Sequence, residues 1–387
     1  MGNMKDKLNQ VMYKAQHSAI REFSNLAKKT PGCVALTLGE PDFDTPQMVK
    51  DEVFEAFLHH ETHYIPNNGS PELRERIAAF ENEKHGHSYT ADNIIVTAGA
   101  EEGVFLSLFG ILNPGDEVIV PVPAFMIYEE ITKMCRGKFV PLDTSDNAFQ
   151  IDKNKLASLI TNRTKAIVLN SPNNPTGCVL NKASLGAVHD LAKEHGLFVI
   201  ADDVYQQLVY KPGCHSIAEY EDLKDQLFLV QSFSKPYAMT GWRMGYVCMD
   251  SEIRERVELI HQFMITSTPA PFQRAAVKAL DFNPEPFLEI YKKRRAFMLR
   301  RLKEIGLSVT EPDGAFYVFP SIKKFGLSSS EFCSRMIQEV RLAATPGFAF
   351  GSDDHIRLTY CYSDGELHEG MDRLEKFVRI LESEGRG

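Results

Sequence analysis

Between about residues 90 and 250 the chain alternates short apolar runs with longer stretches of mixed polarity. The runs are Ile94-Ile95-Val96-Thr97, Val118-Ile119-Val120, Ala166-Ile167-Val168-Leu169, Leu197-Phe198-Val199-Ile200 and Leu227-Phe228-Leu229-Val230. Runs this short, with no polar alternation, predict strands covered on both faces, as in parallel sheets. The stretches between them, such as Lys182–His195, carry amphipathic patterns that predict crossover helices. Together they predict an α/β fold: a large domain with a mostly parallel sheet flanked by helices.

Beyond residue 285 the texture changes. A basic helix is predicted around residues 291–302, a strand at Gly314-Ala315-Phe316-Tyr317-Val318-Phe319, a helix at residues 331–340 and a last strand at Ile356–Thr359. Few strands with helices beside them predict a smaller α+β domain, which the loop-rich stretch before Asp44 completes as an arm. The predicted division is residues 46–284 for the large domain, and 1–45 with 285–387 for the small one. The tail at 382–387 is expected to fray.

Composition narrows what such a chain does. Its 387 residues leave room for a large core, which favours an enzyme over a small binding module. Lys and Arg number 43 against 52 Asp and Glu, a formal charge of -9, so the footprint of a nucleic-acid or anionic-membrane binder is missing. Hydrophobic residues at 43% and charged residues at 25% are those of a soluble protein, and no segment approaches the ~20 apolar residues of a membrane span. The start, Met1-Gly2-Asn3-Met4-Lys5-Asp6-Lys7, lacks the apolar core of a secretory signal, and Asp6 stands where myristoylation wants Ser or Thr. The expected location is the cytoplasm. Seven cysteines, Cys33, Cys135, Cys178, Cys214, Cys248, Cys333 and Cys361, are scattered and never in C-x-x-C spacing, which predicts small buried thiols, with neither a disulfide framework nor a thiolate metal site. In His59-His60-Glu61-Thr62-His63 the Glu is one place out of register for H-E-x-x-H, so exposed histidines near a helix end are expected and no metal.

In parallel sheets ligands sit beyond the carboxyl ends of the strands, and there polar residues gather. Ala98-Gly99-Ala100-Glu101 follows the first run, residues 170–177 the third, Asp202-Asp203-Val204-Tyr205 the fourth and Ser232-Phe233-Ser234-Lys235 the fifth. G-x-G-x-x-G, the P-loop and G-x-S-x-G are all absent. What is present is a dispersed set: Asn173-Asn174-Pro175-Thr176-Gly177, the Asp202 and Lys235 segments, and Gly241-Trp242-Arg243-Met244-Gly245. With these residues the chain resembles the fold-type I pyridoxal-phosphate enzymes, specifically the class I/II aminotransferases. The likeness runs from Leu38-Gly39-Glu40-Pro41-Asp42-Phe43 to Ile356-Arg357-Leu358-Thr359. Ala19-Ile20-Arg21-Glu22-Phe23-Ser24-Asn25 and residues 314–320 look most like bacterial aspartate/aromatic aminotransferases and the N-acetyl-diaminopimelate branch.

The resemblance implies a role for each matched residue. Lys235 would form a Schiff base with the aldehyde of pyridoxal 5'-phosphate and, once freed, carry a proton between the substrate Cα and the cofactor. Asp202 would face the pyridine nitrogen, the positive ring holding the carboxylate ionised despite burial; Asp203 is expected to be exposed or a local cap. Tyr205 and Asn174 would donate to the phenolic oxygen, with Pro175 biasing Asn174 to extended backbone. The phosphate would take the amides of Ala100 and Glu101 at a helix start, the Ser232 hydroxyl and the Arg243 guanidinium. Phe125 would stack on the ring, Arg357 would grip the substrate carboxylate, and Gly39 would let backbone approach it. Met244 onward would form a strand antiparallel to the rest. Tyr64, in Tyr64-Ile65-Pro66-Asn67-Asn68-Gly69, matches a tyrosine that crosses to the other subunit's phosphate, so a homodimer with shared active sites is implied.

The function so implied is transfer of an amino group from an L-amino acid to a 2-oxo acid, with 2-oxoglutarate in the common pair, by a ping-pong mechanism. Dicarboxylate-dedicated relatives use a second arginine; the segment His261-Gln262-Phe263-Met264-Ile265-Thr266-Ser267-Thr268 has none, and Arg274 lies beyond it. Aromatic or other large neutral donors are therefore expected ahead of aspartate, since a distal carboxylate would be buried without a partner. A carbon–sulfur β-lyase on the same scaffold is the alternative. A cofactor-sensing regulator domain is a remote one, disfavoured because no basic helix-turn-helix extension precedes the pattern.

Overall fold

The structure, a computed structural model, describes residues 4–13 and 17–386. The leader reading rests partly on residues 1–3, and the tail ends at Gly387; these lie outside the described residues. Among the described residues there are twelve strands: β1 (Val34–Ala35), β2 (Ile94–Thr97), β3 (Glu117–Val122), β4 (Lys138–Asp143), β5 (Thr164–Asn170), β6 (Phe198–Asp202), β7 (Leu227–Ser232), β8 (Gly245–Cys248), β9 (Tyr317–Val318), β10 (Leu342–Ala343), β11 (Thr345–Pro346) and β12 (Ile356–Thr359). The α-helices are α1 (Ala19–Lys29), α2 (Gln47–Leu58), α3 (Pro71–His85), α4 (Ala100–Ile111), α5 (Ile127–Met134), α6 (Lys153–Leu159), α7 (Lys182–His195), α8 (Ser251–Ile265), α9 (Ala270–Ala279), α10 (Glu285–Ile305), α11 (Ser329–Val340) and α12 (Asp364–Ser383).

Seven strands form one sheet in the order β2-β8-β7-β6-β5-β3-β4. Only β8 runs against its neighbours, as the resemblance implied. All five apolar runs lie in this sheet. Their period-2 alternation divides them between two cores: Ile167, Leu169, Val199, Leu227 and Leu229 point to one face, Ala166, Val168, Ile200, Phe228 and Val230 to the other. Helices α2, α3, α6, α7 and α9 cover the first face, and α4, α5 and α8 the second. The strand without a signal in the sequence is β4. It lies at the sheet edge with most of its residues outside the core, and it contains Pro141, which an edge tolerates.

Around the C-terminal third a separate core gathers α10, α11 and α12 with β9, β10 and β12. The expected strand at residues 314–319 is shorter than predicted: only β9 pairs with β12, because Gly314 and Ala315 bond instead to the loop after β6, the Ala315 amide donating to the Leu208 carbonyl at 2.8 Å. The arm before Asp44 is not all loop. Ser18 caps α1, whose buried Ile20, Phe23, Ser24 and Ala27 repeat at helical spacing, and β1 pairs with β10 in parallel. The tail does not simply fray, since α12 reaches Ser383 and the Glu384 carboxylate sits 2.7 Å from the Arg335 guanidinium. Among the described residues no helix is long and apolar enough to cross a membrane. Five of the seven cysteines are buried, Cys33 and Cys214 are half-buried, and all are free. His59, His60 and His63 are exposed around the end of α2.

Helix α4 meets the sheet at Gly103, where a Cβ would fall 2.7 Å from Val247 Cγ2 and 2.9 Å from Val230 Cγ1. Gly103→Ala gains about 1 kcal/mol of helix propensity but adds an overpacking cost of about 1–3 kcal/mol. We expect a lower melting temperature at fixed protein concentration; a variant melting at or above wild type would contradict this contact.

Candidate active site

The sheet brings the predicted residues to one end. Asp202 closes β6, Ser232 closes β7 with Lys235 three residues on, and Asn174 follows β5. Gly99 follows β2 and starts α4, Phe125 follows β3, and Arg243 precedes the antiparallel β8, which puts it at the same end. The β5–β6 register pairs Asn170 with Asp202, and the Asn170 side chain ties two of these segments together. Its Nδ2 donates to the Asp202 carbonyl at 2.8 Å, and its Oδ1 accepts from the Asn174 amide at 2.8 Å.

Asp202 is buried. Its Oδ2 accepts from the Tyr128 hydroxyl at 2.6 Å, while Oδ1 is buried without a hydrogen-bond partner. Burial, before any other cause, pushes the carboxyl up to about 7. A buried carboxylate oxygen with no partner is what a protonated pyridine nitrogen would satisfy, so the residue fits the cofactor that the resemblance implies. Asp203 departs from expectation. Alternation turns it to the opposite face, where it is 2% exposed and accepts from the Ser216 hydroxyl.

Lys235 donates from Nζ to the Gly39 carbonyl at 2.6 Å. Burial of its amine lowers its pKa, with Cys361 and Glu40 opposing, which favours the neutral nucleophilic form. The Tyr205 hydroxyl is 2.7 Å from that of Tyr317. Arg357 is 1% exposed. Its Nη1 donates to Asn174 Oδ1 at 2.7 Å and its Nη2 to the Thr37 carbonyl at 2.5 Å, while Nε has no partner. The rings of Tyr317 and Phe350 stand 4.6 and 4.9 Å from its guanidinium carbon. An unsatisfied donor on a buried guanidinium suits an anionic ligand such as a carboxylate.

At the start of α4 the first amides have no partner within the helix, and Arg243 closes over them. Gly99 has φ 84°, and a Cβ there would lie 2.4 Å from Arg243 Nη2. The arginine is anchored by its Nη1 on the Thr240 carbonyl at 3.1 Å and approached by the exposed Glu101 carboxylate at 3.6 Å. Ser232 is buried, its Oγ accepting from the Ser234 amide at 3.0 Å. Phe125 is half-buried beside Ala100 and stands edge-on to Tyr128. Tyr64 stands apart: it is 89% exposed and lines a surface hollow with Glu61, His63 and Arg274. Sequence reasoning missed Asn170, Tyr317 and the hydroxyl of Tyr128 as site residues. The decisive partners of Tyr128 and Tyr317 lie far along the chain, as does the Asp202 carbonyl that Asn170 holds, and one-dimensional spacing does not reveal them.

The family model for aminotransferase class I and II matches residues 31–374. An aspartate aminotransferase of Pyrococcus abyssi is 39% identical over 97% of this chain and 98% of its own. A probable N-acetyl-LL-diaminopimelate aminotransferase of Bacillus subtilis is 36% identical over 97% of this chain and 96% of its own. The crystal structure of an aromatic aminotransferase from Pyrococcus horikoshii superposes with TM-score 0.88 at 36% identity, covering 94% of this chain and 100% of that one.

The buried Asp202 carboxyl yields a test of the site without any ligand. In the cofactor-free protein burial pushes it up to about 7 from an ordinary value of 3.8. The stability it contributes is complete below the unfolded value and is lost as pH rises through the folded one. Asp202→Asn cannot ionise, so cofactor-free Asp202→Asn should be more stable than cofactor-free wild type at pH 8 by a few kcal/mol, and by only about a third of that at pH 5. Thermal melts at both pH values check this; an equal difference at the two would contradict it.

Proposed function

The chain belongs to the class I and II aminotransferases, which depend on pyridoxal 5'-phosphate, and on that premise we propose that it transfers the amino group of aromatic or other large neutral L-amino acids to 2-oxoglutarate by a ping-pong mechanism. The observation that carries the substrate class is an apolar cluster of Ile20, Phe149, Cys178, Phe319 and Phe350, with Leu38 and Phe125 packed against it, which reaches the Arg357 guanidinium through Phe350. In this reading its partly buried members, Leu38 and Phe125, give a side chain apolar surface. The residue that could have supplied a second cation, Arg274, is engaged by two carboxylates, Glu52 at 2.8 Å and Glu61 at 2.6 Å. A distal carboxylate would have to compete with both for this guanidinium. The relatives reported above are named for amino-group transfer, so the β-lyase reading is not carried forward.

The bound cofactor supplies an aldehyde that takes the amino group and a ring that withdraws electrons from the substrate Cα. Around it this chain's residues divide the work. Lys235 offers its amine as the anchor and, once released, moves a proton at the substrate Cα. Asp202 holds a proton on the ring nitrogen, kept in place by Tyr128 and Asn170. Tyr205 and Asn174 donate to the phenolic oxygen, and Phe125 covers the ring. The Ala100 and Glu101 amides, Ser232 and Arg243 bind the phosphate. Arg357, with Asn174 and the Gly39 backbone, fixes the substrate carboxylate and so decides which Cα bond faces the ring. In this reading residues 46–284 form the cofactor-binding domain, and 1–45 with 285–387 the smaller one.

We further propose a homodimer with shared sites, Tyr64 serving the partner's phosphate. Exposed Phe54, Phe57 and Leu58 of α2 and Phe263, Met264 and Ile265 of α8 supply the apolar surface such an interface needs. The proposed location is the cytoplasm, where unpaired thiols stay reduced.

Steady-state rates with 2-oxoglutarate and a panel of donors test the substrate class. Phenylalanine and methionine should exceed aspartate in kcat/KM. An aspartate preference above about tenfold, or ~1.4 kcal/mol, would contradict it.

A further inference from the structure

Tyr317 has none of the roles assigned above, yet it touches three residues that do. It pairs with Thr359 of β12, so Arg357, two residues along that strand, lies on the same face of the sheet. Its ring backs the Arg357 guanidinium, and its hydroxyl is 2.7 Å from that of Tyr205. A Cβ on Gly39 would come within 1.9 Å of that hydroxyl, so the phenol end rests on the backbone segment whose carbonyl holds Lys235.

A phenol has one proton to give. If Tyr205 gave its proton to Tyr317, none would remain for a ligand oxygen. A negative acceptor beside Tyr205 orders the pair the other way: Tyr317 donates to Tyr205, and Tyr205 donates onward, each bond strengthening the next. Burial keeps both phenols protonated at neutral pH, with Tyr317 pushed up to about 12. We propose that Tyr317 is a positioning residue whose hydroxyl sets Tyr205 as donor to the cofactor's phenolic oxygen and whose ring fixes Arg357 for the substrate carboxylate. The inference rests on the roles proposed above for Tyr205 and Arg357.

The test uses cofactor-loaded protein and two readouts: the pH midpoint of its visible absorption change, and spectral titration with 3-phenylpropionate, a carboxylate that cannot react. With a weaker donor the phenolic oxygen holds more negative charge and keeps its neighbouring proton to higher pH. Tyr317→Phe should therefore raise the midpoint by about half a pH unit or more and leave 3-phenylpropionate affinity within about twofold of wild type. Tyr317→Leu should raise it likewise and weaken that affinity about fivefold or more. Tyr205→Phe should raise the midpoint further, and adding Tyr317→Phe to it should change nothing more, because the hydroxyl acts through Tyr205. The other groups facing the pair, Asp202, Arg357, Cys361 and Tyr362, are untouched in these variants. An unchanged midpoint in Tyr317→Phe, or a shift that adds in full to that of Tyr205→Phe, overturns the hydroxyl's role. Wild-type carboxylate affinity in Tyr317→Leu overturns the ring's. A wild-type protein that binds the cofactor without an imine band overturns the Lys235 reading and this inference with it, whereas an imine band whose pH response is the same in wild type and variants overturns this inference alone.

Discussion

A carboxylate buried at the end of a central strand, with one oxygen satisfied and the other not, is the constraint on which the rest of the site depends. Ionising Asp202 in that setting costs several kcal/mol unless a cation meets it, which is why its carboxyl rises to about 7. Its surroundings leave one way to relieve that cost. Tyr128 occupies Oδ2, Asn170 holds the carbonyl behind it, and the β5–β6 register fixes both relative to Asn174. On the reading proposed above, a ligand with a positive nitrogen at one edge would relieve it, and the same strand ends that carry Lys235 and Ser232 would orient that ligand.

The other ionisable groups are displaced in the complementary sense. Burial lowers Lys235 toward the neutral amine and presses on Arg357, which is enclosed by Tyr317 and Phe350 and anchored on Asn174. An acid raised and an amine lowered within one enclosed site is the pattern by which a protein assigns proton donors and acceptors near neutral pH. The proposed phosphate cradle follows a different logic. There Arg243 is exposed, and close approach at Gly99, rather than burial, brings the guanidinium to the start of α4.

The features legible in the sequence were those carried by contiguous residues. Five apolar runs gave five strands because a strand buried on both faces keeps an apolar stretch at its centre. The edge strand β4, half in solvent and containing Pro141, has no such signature. Residues 314–319 read as one strand by composition, yet Gly314 and Ala315 belong to a loop contact with Leu208 that no local pattern encodes. The motif positions were readable through Lys235, Asp202 and Arg357, whereas Asn170, Tyr317 and the hydroxyl of Tyr128 act across strands, and Asp203 followed from alternation that was not applied to it. Long-range pairing, not chemistry, separates what could be read from what could not.

The central claim is that Asp202 Oδ1 is shaped for a protonated ring nitrogen in the same pocket as Lys235. Determining the structure of the protein loaded with pyridoxal 5'-phosphate tests it most directly. The account predicts continuous density from Lys235 Nζ to the cofactor and the ring nitrogen within hydrogen-bond reach of Asp202 Oδ1, about 2.7–3.2 Å. A ring bound with its nitrogen directed elsewhere, or density joined to a different lysine, would contradict it.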